Sequence, residues 1–174
     1  VMPYFSSLRT IPWEPNFEWV DTIEEAADKI NQPHEDYPKR VDNTVIQIER
    51  VVSYCSEYSE DTFLNERPPI LSLLLKMIHY GIFHDTSFAG EFRTHDVTVG
   101  LHHPPDAEQL DKLMNQLELL YEEQEIDIDM LKEWYNDFET IHPFEDGNGR
   151  TGGVIIAAYS HHLDEQGRWL APSQ

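Results

Sequence analysis

Cysteine is almost missing from this chain: Cys55 is the only one in 174 residues, which excludes an internal disulfide and a cysteine zinc cluster. Basic residues are scarce too. The 12 Lys and Arg stand against 33 Asp and Glu, a formal charge of -21, so most of the surface repels a polyphosphate backbone and few cations remain for counterion release. Nucleic acid is not expected as a partner. No apolar run approaches the roughly 20 residues of a bilayer span, so no membrane association is expected either. The string G-x-x-x-x-G-K-[ST] is absent, which excludes the P-loop mechanism. The N-terminal "VMPYFSSLRTIPWEPN" has neither the basic start nor the continuous apolar core of a secretion signal.

What the chain has is helical periodicity. A hydrophobic fraction of 40% supplies a core for one domain, and no repeat or low-complexity stretch divides it. Residues 1–20, with Pro, Trp and Phe, read as an extended arm; residues 21–174 read as a single domain. "DTIEEAADKI" from Asp21 predicts a helix with an acidic first turn. A second runs from about Pro38 to Tyr58. "PPILSLLLKMIHYGIFHD" carries apolar residues on nearly every face and is expected at the centre. Leu110, Leu113, Met114, Leu117, Leu120 and Tyr121 line one side of a fourth helix, and Leu131, Trp134, Tyr135 and Phe138 one side of a fifth. "VIIAAYSHHL" from Val154 predicts a mostly buried sixth. Between the third and fourth, "EFRTHDVTVGLHHPP" breaks the period: β-branched residues at 97–99, then Gly100 and two prolines, suggest a short β-hairpin or extended flap. The class is mainly α with one small β element.

One stretch does not fit plain amphipathic helix. "TIHPFEDGNGRTGG", Thr140 to Gly153, sits between the fifth and sixth helices. Pro143 ends the helix and holds His142 off it, and Phe144 can plug the loop into the core. "GNG" lets backbone N–H groups converge on an anion, just where a helix N-terminus adds its partial positive charge. Asp146 can hold a divalent cation whose other ligands are phosphate oxygens and water, as magnesium prefers. Arg150 can fork onto a phosphate, and His142 can take a proton near neutrality. Base, metal ligand, anion nest and arginine together make a phosphoryl- or nucleotidyl-transfer site. A calcium loop is not expected, because Arg150 stands at its fifth position, Thr151 at its glycine position and Ala157 at its final acid.

"HPFEDGNGR" resembles the signature of the Fic family, H-x-F-x-[DE]-G-N-G-R-x-x-R, and a looser resemblance runs from about Arg40 to Leu163. The resemblance implies a Fic-like helical domain with a β-hairpin flap, acting as a nucleotidyltransferase of the adenylyltransferase type that moves AMP from ATP to a Ser, Thr or Tyr hydroxyl of a target protein. It implies His142 as general base, Phe144 as buried anchor, Asp146 as the Mg2+ ligand, and Gly147, Asn148, Gly149 and Arg150 as the nucleotide-binding residues. It also implies a flap at Val97, Thr98, Val99 and Gly100 that aligns the target chain by backbone pairing. Mg2+ and ATP are the implied cofactor and co-substrate. A homo-oligomer or a regulatory partner is compatible with the resemblance. So is a cytoplasmic setting, or delivery into a host cell if the protein is a bacterial effector.

The pattern is broken at its end. Gly153 stands where the family has a second arginine, which the resemblance assigns to the γ-phosphate and to an inhibitory glutamate. Losing it removes a charge-assisted contact of about 1.5–3 kcal/mol. Transfer of UMP, phosphocholine or phosphate, or binding without turnover, therefore stand beside AMP transfer. Glu49 and Glu66 match the inhibitory motif only loosely, and no internal switch is expected. Of the other polar residues, His79 and His84 are expected as core histidines, the pairs His102-His103 and His161-His162 as surface or capping groups, and Arg93 as a scaffold residue.

Overall fold

The computed structural model describes residues 11–61 and 67–173. Six helices and one two-stranded antiparallel sheet are present among them. The helices are α1 (Ile23–Asn31), α2 (Tyr37–Asp61), α3 (Ser72–Phe83), α4 (Leu110–Glu122), α5 (Ile128–Ile141) and α6 (Asn148–Leu163); a short 3-10 turn, Ala107–Gln109, leads into α4. The strands are β1 (Asn16–Val20) and β2 (Trp169–Ser173).

Helix starts follow local chemistry. Thr22 caps α1 by accepting from the Glu25 N–H at 3.1 Å, and Asp127 caps α5 by accepting from Met130 at 2.8 Å. The centre of the molecule is α6. Its residues from Arg150 to Ser160 are all buried, as the mostly apolar run "VIIAAY" requires, and it touches α1, α2, α3, α5 and β2. Tyr159 reaches out of it to donate to the Pro68 carbonyl at 2.8 Å. Ser160 accepts from the Leu170 N–H at 2.9 Å and so ties α6 to β2.

Two expectations need correction, and a third, the hairpin or extended flap, is narrowed. The apolar α3 is not central: Leu75, Ile78, His79, Ile82 and Phe83 face inward, but Leu73 is 67% and Met77 62% exposed. The flap is not a regular hairpin. Val99 and His102 form one bridged pair with two 2.9 Å bonds around a turn in which Gly100 has φ 57°. Gly100 and two prolines in so short a stretch leave no room for a ladder. The sheet lies elsewhere, pairing Asn16 with Ser173 through Val20 with Trp169, between segments distant in sequence. The sixth helix begins at Asn148 and not at Val154, so the glycine-rich motif is itself the first turn of α6.

The two glycines that close the motif are explained by close approach on both flanks of α6. A Cβ at position 152 would lie 2.9 Å from the Tyr135 ring of α5, and one at 153 would lie 2.9 Å from Ile30 of α1. A side chain at 153 has no space unless Ile30 of α1 gives way. Gly153→Arg is therefore expected to lower stability by about 1–3 kcal/mol, as overpacking does, rather than restore a phosphate contact; a shift in the urea midpoint checks it.

Candidate functional site

The site is the α5–α6 connection. The helical part of α5 ends at Ile141, and His142 caps it in the left-handed conformation at φ 53°, with its N–H on the Phe138 carbonyl at 3.0 Å. For a non-glycine residue this backbone is strained and persists only where the surroundings enforce it. Here the enforcer is Arg93. Its Nε donates to the His142 carbonyl at 2.7 Å, its Nη2 to Pro105 at 2.6 Å and Ile141 at 3.3 Å, and its backbone N–H to Pro143 at 2.9 Å. The scaffold role expected of Arg93 is what the structure has. His102, expected as a surface or capping group, is buried, and its Nε2 bonds the Thr140 carbonyl in the last turn of α5 at 2.9 Å. Arg93 and His102 thus staple both roots of the flap to the last turn of α5.

The loop beyond His142 is braced from within. Phe144 is fully buried and stacks on His79 at 4.0 Å between ring centroids. The Asn148 side chain accepts from the Phe144 N–H and donates to the Phe144 carbonyl, both at 2.8 Å. What Asn148 has left for an anion is its backbone N–H. Gly147 has φ 84°, and a Cβ there would lie 2.2 Å from the Phe83 ring, so the glycine is required by backbone and packing rather than by phosphate approach.

His79 is the residue whose role the sequence hid. Its Nδ1 accepts from the Gly90 N–H at 2.9 Å, which puts the ring proton on Nε2, 2.8 Å from the Asp146 carbonyl. A core histidine was expected at 79, but nothing local linked it to Asp146. The Asp146 side chain is 58% exposed, and its Oδ1 accepts from the Gly147 N–H at 2.8 Å. Among the described residues no three His, Cys, Asp or Glu side chains cluster as a metal cage. One open carboxylate beside a phosphate cradle nevertheless fits Mg2+, which is held by one or two carboxylates with phosphate and water completing its shell.

At the start of α6, Gly147 offers no side-chain cap, so the first-turn N–H groups of a 16-residue helix are left for a ligand. Two polar atoms close by are buried without partners: Arg150 Nε and Thr151 Oγ1. His142 Nδ1 is a third. Buried polar groups without partners cost stability, and a site for an anion and a hydroxyl gives them a purpose. The Arg150 side chain is only 2% exposed; Nη1 donates to Asp36 at 2.5 Å, and Nη2 lies 3.4 Å and 3.5 Å from the Asp146 oxygens. His142, Asp146, Gly147, Asn148, Gly149 and Arg150 are thus brought together. Val97, Thr98, Val99 and Gly100 stand nearby on the flap, with Leu101 at its tip 84% exposed. Of the two glutamates weighed as inhibitory, Glu49 is on the exposed side of α2, and Glu66 lies outside the described residues.

Residues 69–160 match the profile of the Fic/DOC family. The chain belongs to that family. Its members are known for transferring nucleotides and other groups onto proteins. The fold is similar to two solved structures. One is a Fic-domain-containing signaling protein from Bacteroides thetaiotaomicron, 17% identical with a TM-score of 0.59 over 74% of this chain and 49% of that one. The other is a Fic family protein from Desulfovibrio desulfuricans, 21% identical with a TM-score of 0.55 over 80% and 43%. This chain therefore spans less than half the length of either. No helix of the described residues is long and apolar enough to cross a membrane.

Burial, with the charges of Arg93 and His102, lowers the His142 pKa to about 4 against the raising effect of Asp146; burial lowers that of His79 to about 4 as well. Both rings are neutral in the folded protein down to that value. The unfolded chain takes up protons near 6.5, so each ring reduces stability as pH falls from about 6.5 toward about 4. Asp137, raised by burial to about 6, acts in the opposite sense. Nitrogen-15 shifts of the imidazoles at pH 6 should show His79 and His142 both neutral. Asn148→Ala should cost about 1–3 kcal/mol, because it strands the buried Phe144 N–H and C=O; chemical denaturation measures it.

Proposed function

We propose that this Fic domain transfers AMP from Mg-ATP to a Ser, Thr or Tyr hydroxyl of a target protein. The observation that carries the reading is a neutral, half-buried His142 fixed beside the uncapped N-terminus of α6, with Arg150 and Thr151 holding unpartnered buried polar atoms there. His142 accepts the hydroxyl proton as the oxygen attacks the α-phosphorus, and pyrophosphate leaves. The first-turn N–H groups of α6 and the Arg150 guanidinium hold the phosphate oxygens and stabilise the charge gathered on them. Asp146 is the residue to hold Mg2+, which would neutralise phosphate charge when bound. The flap, stapled at Arg93 and His102, offers the Val97–Gly100 backbone for pairing with the target segment. ATP supply fits a cytoplasmic setting.

The packing at Gly153 favours a second reading. Ile30 fills the space where the family's second arginine would stand, so the terminal phosphate of ATP has one cation fewer. A nucleoside diphosphate donor, such as one carrying phosphocholine, or nucleotide binding without turnover, makes less demand on that place.

Incubation with α-labelled ATP and candidate targets separates these readings. His142→Ala is expected to cut label transfer by about 100-fold or more, the size of a general-base contribution; undiminished transfer would refute the base. In the parent protein, the acid limb of the rate profile should fall near pH 4, following the His142 value of about 4, and not near 6.5.

A further inference from the structure

We infer that Asp36, which lies outside the stretch matching the Fic/DOC family, is a positioning residue that orients Arg150 toward bound phosphate. The inference rests on the nucleotide reading above for what Arg150 does. The contact itself is independent of that reading.

Asp36 stands on the α1–α2 connection, one carboxylate serving two arginines. Its Oδ1 accepts from Arg150 Nη1 at 2.5 Å and its Oδ2 from Arg40 Nε at 2.9 Å. Arg40 is tied in turn by Nη1 to the Ile82 carbonyl at 2.9 Å and to Asp85. Both guanidinium carbons lie 4.8 Å from the centroid of the same Phe83 ring. Two cations that close to one ring repel each other, and the carboxylate between them is what makes the arrangement stable. Burial raises the Asp36 pKa, but hydrogen bonds and charge from Arg40 and Arg150 outweigh it and hold the group below the ordinary carboxylate value. Asp36 is therefore ionised wherever the protein is folded near neutrality.

The remaining donors of Arg150 show where the orientation leads. Of its nitrogens, Nη1 is taken by Asp36, Nη2 makes only long contacts to Asp146, and Nε is buried with no partner. A guanidinium fixed at one corner with donors to spare needs little reordering to take a phosphate. The connection that carries Asp36 is itself tied down. Asn31 Nδ2 donates to Ala27 at 2.7 Å and to Thr44 Oγ1 at 3.0 Å, and the Tyr37 hydroxyl bonds Asp28. Because position 153 has no cation, Arg150 is the motif's only arginine, and its aim matters accordingly.

The test is calorimetric titration of the 174-residue chain, Asp36→Asn and Asp36→Glu, with Mg-ATP and with magnesium tripolyphosphate, which needs the nest but no adenine site. Asp36→Asn is expected to bind both about tenfold more weakly, with Asp36→Glu recovering most of the loss. Nitrogen-15 spectra of the arginine side chains should show the Arg150 Nη signals resolved in the free parent and averaged in Asp36→Asn. Unchanged or tighter binding by a folded Asp36→Asn overturns the inference, tighter binding meaning that Asp36 competes with phosphate. If Asp36→Asn does not fold, failure of Asp36→Glu to bind within about threefold of the parent overturns it. A parent that binds tripolyphosphate but not Mg-ATP sinks the nucleotide reading and leaves the inference standing. A parent that binds neither sinks both.

Discussion

The first two turns of α6 are gripped on opposite flanks, by Tyr135 and Phe138 of α5 and by Ile30 of α1, and the rest of the site depends on that grip. A side chain at position 152 would press into the Tyr135 and Phe138 rings, and one at 153 into Ile30. With glycine at both, α6 runs through the middle of the molecule, its residues from Arg150 to Ser160 wholly covered. Polar groups on such a helix can reach solvent or a ligand only at its ends. At the C-terminal end the Asp164 N–H closes onto the Ser160 carbonyl at 2.9 Å. At the N-terminal end nothing does, and the uncapped N–H groups there face the one loop that carries His142 and Asp146. The anion cradle of the proposed reading is in this sense a consequence of how α6 is buried.

A cradle acts on charge only as well as its loop is fixed, since donors that must reorganise lose their advantage. Three separate elements fix this one. Asn148 stitches Phe144 at both its N–H and its carbonyl. His79 reaches from α3 to hold the Asp146 carbonyl while stacking on Phe144. Arg93 reaches from the flap to the carbonyls of Ile141 and His142. Each support bonds backbone, so the chain is fixed while the His142 ring keeps an unpartnered Nδ1 and the Asp146 carboxylate, held only by the Gly147 N–H and long contacts to Arg150, stays 58% exposed. The burial that lowers the His79 pKa also keeps its hydrogen-bond pattern unchanged across the physiological range.

What was legible in the sequence is what is local. The string from His142 to Arg150 contains a base, a carboxylate and a helix start within one turn of chain, so their proximity needs no knowledge of the fold. Helix positions followed from periodicity for the same reason. Residues that complete the site from elsewhere were not legible: Asp36, Ile30 and His79 belong to amphipathic or loop segments where each has an ordinary reading as surface acid, core aliphatic or core histidine. Pairing of β1 with β2 joins opposite ends of the described chain, and five-residue strands carry too little pattern to announce a distant partner. At the flap, β-branched residues at 97–99 favour extended backbone without saying whether a second strand lies beside it, so a short hairpin and an extended segment both stayed open. In α3 the apolar residues on all faces pointed to full burial, yet periodicity cannot say whether a neighbour exists for each face.

On the proposed reading, the chemistry is constrained by His142 as its base. Burial keeps His142 neutral and ready to accept a proton, but a conjugate acid with a pKa of about 4 is far too strong to be formed by removing a proton outright from a hydroxyl whose own pKa is roughly 10 for Tyr and higher for Ser or Thr. Deprotonation ahead of attack would leave most of the barrier untouched. On that reading the proton leaves late, as the new oxygen–phosphorus bond forms and the hydroxyl acidifies. In that regime the rate depends less on the strength of the base than on how closely the hydroxyl is held to both the ring and the phosphorus. Rigid support of the loop, and a flap anchored to the same carbonyls that fix His142, serve that requirement, which links the scaffold contacts of Arg93 and His102 to the step at the imidazole.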